Sequence, residues 1–250
     1  MDNPIYLRLK EKAARAALKI GLPSFYAIHK KEIGIAMSNF SDNRLIHKCR
    51  SYLDESTLHP AHGIQHCEKV ALEAGAILQI ESSSNNLSEA DTNDLMICVQ
   101  IAGLLHDIKR NEKDHTISGS KEAERILRDF NIGDAHKRYI VAAIRNHEAF
   151  KEVLDSEDES AKLVSDSLYD ADKFRWGPDN FTTTLWLIME STETSAEILY
   201  SDFQKKMDGI KRIKHTFRTE TGKKYGPEFI DYGIEIGNEI FREMENIIGV

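Results

Sequence analysis

The chain has 250 residues, 41% of them hydrophobic and 30% charged, with a formal net charge of −8. This length and balance are typical of a soluble chain with one good core or two small domains. The acidic excess, with no long basic run, argues against binding to long nucleic acids, which requires clustered Lys and Arg.

The three cysteines are odd in number and no two are spaced as CxxC, so a disulfide framework or a zinc knuckle is not expected. The amino terminus is charged throughout and lacks the apolar core of a signal peptide. No apolar run approaches the roughly 20 residues that cross a bilayer. We therefore expect a cytoplasmic protein with no membrane partner.

Apolar residues recur mostly at three-and-four spacing and only five Pro occur, so we predict an all-α fold. The first predicted helix covers 5–20, the second is capped by Ser24 and the third is capped by Asp42. The fourth begins near Ile64, after a break at 59–63. Ser88 or Asp91 caps the next helix, which ends at His106-Asp107. The others span about 116–130, 134–147, 160–171, 179–190 (capped by Asp179), 195–216 and 225–247.

These helices group into three parts of one structural domain. Residues 1–55 are interpreted as an N-terminal helical extension, 56–194 as the core, and 195–250 as C-terminal helices that pack on the core. No internal repeat and no lasting β-alternation is visible.

The stretch 101–107 delivers an adjacent His106-Asp107 pair at the end of an apolar helix, where charge is costly unless it is matched. Other potential metal ligands also fall near helix ends, where side chains from different helices can meet in one cleft. His62 and His66 share a face if both are helical. Nitrogen and oxygen ligands suit one or two divalent ions among Mn, Fe, Ni, Co, Mg and Zn. The candidates are His62, His66, His106, Asp107, His115, His147 and, at the end of a later apolar helix, Asp170 or Asp172.

The ordered pattern His66 … His106-Asp107 … Asp172 resembles the HD-domain superfamily of metal-dependent phosphohydrolases. The segments 66–70, 104–108 and 170–174 are similar to that family's first ligand, signature and last ligand in their local context. The resemblance covers about 62–176. It implies an HD-domain-like helical cluster with the metal at its centre, held by these four side chains.

The same resemblance bears on the remaining candidates. His115 and His147 stand where members with a second metal place extra histidines, so Asp107 then bridges two ions; alternatively, both histidines bind substrate phosphate. Asp172 is preferred to Asp170 as the last ligand because Lys173 and Phe174 follow it as in the family.

The implied activity is hydrolysis of a phosphate ester or anhydride of a small molecule, with a nucleotide as the first expectation. Asp107 is expected to hold the metal and orient the nucleophile, while Lys109, Arg145 and Lys173 neutralise charge on the phosphoryl group. Two alternatives stay open: a di-iron oxygenase of the inositol-oxygenase type, and a non-catalytic metal or nucleotide sensor. The pattern does not fix the oligomeric state, and a homo-oligomer is compatible with it.

One position departs from the family. Relatives that act on deoxynucleoside monophosphates or guanosine alarmones carry Glu three residues after the HD aspartate, where this chain has Arg110. A basic rim of Lys109, Lys113, Lys173 and Arg175 then favours nucleoside triphosphates over monophosphates. The segment 217–224 also resembles bacterial HD hydrolases of nucleoside triphosphates; alternatively, 219–222 is a turn between two surface helices.

Overall fold

The computed structural model describes residues 4–248, which contain twelve α-helices and no β-strand. The prediction of an all-α fold is thus confirmed, and the outermost residues of the segments 1–55 and 195–250 lie outside the described part. A 3-10 turn covers Pro60–His62 and a π-helix covers Asn180–Thr184. The helices are α1 (Pro4–Ile20), α2 (Ser24–Ile28), α3 (Lys30–Asp42), α4 (Arg44–Arg50), α5 (Ile64–Ser84), α6 (Glu89–Leu105), α7 (His115–Leu127), α8 (Asp134–Asn146), α9 (Glu159–Phe174), α10 (Leu185–Ser191), α11 (Ala196–Ile213) and α12 (Glu220–Ile248).

Two predicted helix starts near the N-terminus are wrong. Ser24 is not a cap: it is the first residue of α2, and its backbone N–H and hydroxyl donate to the Glu228 carboxylate at 2.8 and 2.5 Å. The helix then breaks at His29, which separates α2 from α3. Asn43, rather than Asp42, caps α4, because its side chain accepts from the Leu45 N–H.

Asp179 also does not cap a helix, because its carboxylate is used elsewhere. It accepts hydrogen bonds from Arg175 and Lys69, and the chain continues directly into the π-helix without a side-chain cap. Ser88 is the cap of α6, with its hydroxyl accepting from the Asp91 N–H.

The core is a single apolar cluster built around the α5–α6 pair, on which α8 and α9 pack, while α1 and α11 pack on α12. Gly103 allows the close approach of α5 and α6, because a Cβ at this position would lie 2.5 Å from Ala71 Cα. The close contact brings the C-terminal end of α6 next to the first turn of α5. It therefore places His106 beside His66.

Within residues 4–248, no helix is both long enough and apolar enough to cross a bilayer.

Candidate metal centre

The six predicted ligands lie together where five helices meet. His66 is in the first turn of α5, the pair His106-Asp107 directly follows α6, and His115 begins α7. His147 directly follows α8, and Asp172 lies in the last turn of α9. Three of these helices point their C-terminal ends at the cluster, and the partial negative charge of those ends favours a cation.

Asp107 is the centre of the cluster and is almost fully buried. Its Oδ2 atom lies 3.3 Å from His106 Nε2 and 3.8 Å from His66 Nε2. On the same side, Asp172 Oδ1 is 3.5 Å from His66 Nε2 and 3.6 Å from His106 Nε2, and the two histidine nitrogens are 3.2 Å apart. Ligands about 2.1 Å from one ion lie roughly 3.0–4.2 Å from one another, so the His66, His106 and Asp172 atoms fit one ion, with Asp107 Oδ2 within 3.8 Å of both histidine nitrogens.

The second oxygen of Asp107 faces the other two histidines. Asp107 Oδ1 is 3.5 Å from His147 Nε2 and 3.7 Å from His115 Nε2. Within the described residues, His147 joins a group of ligand atoms with His106 and Asp107 that all lie within 4.8 Å of one another, whereas no such group contains His115. His147 is therefore placed as a potential ligand together with His106 and Asp107.

Backbone carbonyl oxygens determine which ring nitrogen carries the hydrogen in His106 and His147. Because a carbonyl oxygen can only accept, Nδ1 of His106 donates to Gly103 O at 2.8 Å and Nδ1 of His147 donates to Ile144 O at 2.7 Å. In the neutral rings the lone pair is then on Nε2, which points towards Asp107. Histidine ligands of metals are typically oriented in this way.

Three buried polar atoms at this centre lack a hydrogen-bond partner. They are His62 Nδ1, Asp107 Oδ1 and His147 Nε2, none of which has a hydrogen bond to any residue in the described range. Leaving such atoms unsatisfied is costly, and a cation bound among them would offset this cost. The residues present therefore fit a divalent metal ion.

The electrostatics of the cluster also favour positive charge. Burial alone would lower the pKa of His106, but the Asp107 and Asp172 carboxylates raise it to about 10. Burial opposes ionisation of both carboxyls, yet the histidines around Asp107, and Lys173 with the histidines around Asp172, hold their pKa values well below the ordinary range. The carboxylates thus attract a proton or a metal ion into the centre.

Two other rings favour the neutral form that binds metals. Burial lowers the pKa of His66 to about 4, although the hydrogen bond with Asp172 opposes this shift. Burial and the neighbouring Arg110 lower the pKa of His115 to about 4.

His62 also belongs to the centre, although the set of six ligands that the family resemblance implies leaves it out. Its Nδ1 atom lies 2.7 Å from Asp107 Oδ2, the shortest approach of any histidine to this carboxylate among the described residues. The condition for a shared helix face is not met, because His62 ends the 3-10 turn and α5 begins only at Ile64. His62, His66 and Asp107 form a further group of potential ligands.

Asp170 is engaged away from the metal centre. It accepts from the backbone N–H groups of Arg218 and Thr219, at 2.8 and 2.7 Å, and from the Thr219 hydroxyl at 2.7 Å. It thus joins α9 to the start of α12, where Gly222 leaves no room for a Cβ against the same carboxylate. The predicted surface turn at 219–222 is wrong, because α12 begins at Glu220 and Thr219 and Thr221 are buried.

We expect Asp172→Asn to weaken metal binding by at least about 100-fold, because it removes a ligand charge, whereas Asp170→Asn retains the metal. Asp170→Asn instead destabilises the fold by about 1–3 kcal/mol, since an amide cannot accept all three donors. Metal titration by calorimetry and urea unfolding separate the two effects. Equal loss of metal in both variants would contradict the choice of Asp172.

The three predicted charge-neutralising residues are placed differently from one another. Lys173 is buried and donates to Asp172 Oδ2 at 2.5 Å, so its charge is paired with a candidate metal ligand. Arg145 donates to the Thr116 hydroxyl at 3.0 Å. Lys109 is partly exposed and 3.8 Å from Glu112.

Two of the four cations in the basic rim expected from the sequence are neutralised by internal pairing, whereas Lys109 is partly exposed and Lys113 is exposed. Arg175 is buried and paired with Glu73 and Asp179, and Lys173 is paired with Asp172. The sequence identifies these cations but does not show which carboxylates pair with them in the fold.

Arg110 contacts the side of the centre where a second ion was predicted. Its Nη1 donates to His115 Nε2 at 2.8 Å and lies 3.7 Å from Asp107 Oδ1. The Arg110 guanidinium occupies the lone pair of His115 Nε2 that a metal ion would need, and its positive charge repels a second cation. The structure therefore favours a single ion while Arg110 is in place.

We expect Arg110→Ala to raise the metal content from one ion per chain towards two, because it frees His115 Nε2 and removes a positive charge. Elemental analysis of protein equilibrated with excess Mn²⁺ and then desalted measures the change. Lys109→Ala, which removes a neighbouring exposed cation, is the matched control and should leave the stoichiometry at one. Two ions in the unmodified protein would contradict this role of Arg110.

Comparisons of the chain with protein-family models, with curated proteins and with solved structures found no match.

Proposed function

We propose that this protein is a metal-dependent phosphohydrolase with an HD-domain-like arrangement of helices, acting on a small-molecule phosphate ester or anhydride. The observation that carries the proposal is the cluster of His66, His106, Asp107 and Asp172, in which the Nε2 atoms of the two histidines lie 3.2 Å apart and each is 3.3–3.8 Å from an oxygen of both carboxylates. The order of these residues along the chain supports the same activity.

The chemistry that a bound divalent ion supplies at such a centre is a water of lowered pKa and polarisation of a phosphoryl oxygen. The chain's own groups supply the rest. Asp107 has both oxygens directed into the cluster and can orient the attacking water through a hydrogen bond. Arg110, about one-third exposed and adjacent to Asp107, can donate to a phosphoryl oxygen as its negative charge grows.

His62 is placed to move a proton in this reaction. It lies 2.7 Å from Asp107 Oδ2 and lines the cavity that adjoins the centre. A histidine in this position can transfer a proton to the leaving oxygen, which is the ordinary role of a general acid.

The test is a phosphate-release screen over nucleotides, sugar phosphates and aryl phosphates with Mn, Co, Ni, Mg and Zn. We expect metal-dependent release from at least one ester and loss of that release with a chelator. His62→Gln should lower kcat by about 10²–10⁴-fold while the metal is retained. Metal binding without release from any substrate, or with oxygen consumption instead, would reject the proposal.

A further inference from the structure

A cavity of about 410 Å³ adjoins the metal centre, which is a size usual for small-molecule sites. One side of it is formed by the centre itself, through His62, His66, Asp172 and Arg110. A molecule that fills the cavity therefore extends directly from the position where a phosphoryl group would meet the metal.

Most of the other lining residues are apolar, and the uncharged polar ones among them are Asn180 and Thr184. The π-helix and α10 contribute Phe181, Leu185 and Ile188, and α11 contributes Leu199, Phe203 and Met207. A π-helix is rare and is often found at functional sites, and this one supplies one wall. Burial of an apolar ligand surface against such walls is favourable, whereas a sugar or a chain of phosphates would find few hydrogen-bond partners there.

The positive charge around the cavity is limited. Among the described residues that line it, the cations are Arg110, Arg175 and Lys206. Arg175 is buried and paired with Glu73 and Asp179, so its charge is already balanced. Arg110 at the centre and the exposed Lys206 remain, which is too little for the three phosphates of a nucleoside triphosphate.

We infer that the substrate is a phosphomonoester with a single phosphoryl group on an apolar, largely aromatic body, which occupies this cavity. The inference rests on the proposed function and specifies its substrate class. It replaces the sequence-based expectation of a triphosphate, because two cations of the basic rim, Lys173 and Arg175, are paired internally and the other two, Lys109 and Lys113, do not line the cavity.

The first experiment compares kcat/KM for 1-naphthyl phosphate, ribose 5-phosphate and ATP with the same metal. We expect 1-naphthyl phosphate to exceed both by about 10- to 100-fold, since the rings are buried against the walls. A ratio to either competitor at or below one would overturn the inference while the proposed function stands.

A matched pair of variants locates the preference in the cavity. Ile188 lines the cavity and is partly buried, whereas Ile198 on α11 is 57% exposed and is not among the lining residues. Ile188→Asn should lower the preference for 1-naphthyl phosphate over ribose 5-phosphate by about tenfold, and Ile198→Asn should keep it. Equal effects of the two changes would contradict the assignment.

Binding without turnover separates this inference from the proposed function. Calorimetry with 1-naphthalenesulfonate, an aromatic anion that has no phosphate to release, should show binding to the metal-loaded protein that Ile188→Asn weakens and Ile198→Asn does not. If this anion binds and no ester is hydrolysed, the phosphohydrolase proposal fails and the ligand class is retained. If esters are hydrolysed and the anion does not bind, the ligand class fails and the phosphohydrolase proposal is retained.

Discussion

Asp107→Asn will remove the bound divalent metal and lower phosphate release by about 10³-fold or more, the equivalent of several kcal/mol of transition-state stabilisation. The effect is large because both oxygens of Asp107 face the cluster, one towards His66 and His106 and the other towards His147. No neighbouring carboxylate can replace both contacts. Elemental analysis and a phosphate-release assay measure the two losses together.

Asp166→Asn is the control for this change. Asp166 is also a largely buried helical carboxylate, but it pairs with Lys162 on the surface of α9. This variant should keep both metal and activity. Full metal occupancy in Asp107→Asn would contradict the central role of the carboxylate.

Glu73→Gln will destabilise the fold by about 3 kcal/mol, because it leaves a buried guanidinium without its main counter-charge. Arg175, which directly follows α9, donates a hydrogen bond to the Glu73 carboxylate on α5. The Tyr26 hydroxyl donates to the same carboxylate at 2.5 Å. Asp179 stays as a second partner of Arg175, which limits the loss. Urea unfolding measures the free energy, and the melting temperature should fall by about 6–12 °C.

The same helix provides the control. Glu68→Gln on α5 removes an ion pair with the half-exposed Arg50, and we expect a change below about 1 kcal/mol. The double variant Glu73→Met/Arg175→Met should recover most of the lost stability, because it removes the unpaired charge. Equal costs for Glu73→Gln and Glu68→Gln would show that burial of the pair contributes nothing.

The sequence was sufficient to predict the helices and the convergence of ligands at their ends. Apolar spacing stops at His106 and at His147, and both lie directly after helices in the structure. These are local features, because periodicity and capping depend on neighbouring residues. The π-helix was not predicted, since nothing in Asn180–Thr184 distinguishes it from an α-helix by spacing.

Contacts between distant segments could not be predicted from spacing. His62 reaches Asp107 although a 3-10 turn removes it from the helix of His66. Arg175 loses its predicted role at the rim because Glu73, far away in the sequence, neutralises it inside the core. Which cations remain free for a ligand depends on packing and not on composition.

The convergence of five helix ends on one cluster means that an ion bound there would also cross-link the fold. The potential ligands extend from His66 to Asp172, so such an ion would close long loops that the unfolded chain leaves open. An ion that binds only the native chain adds about 2.7 kcal/mol of stability at one hundred times its dissociation constant. On the proposed function, we therefore expect the stability of this protein to depend on the concentration of free metal.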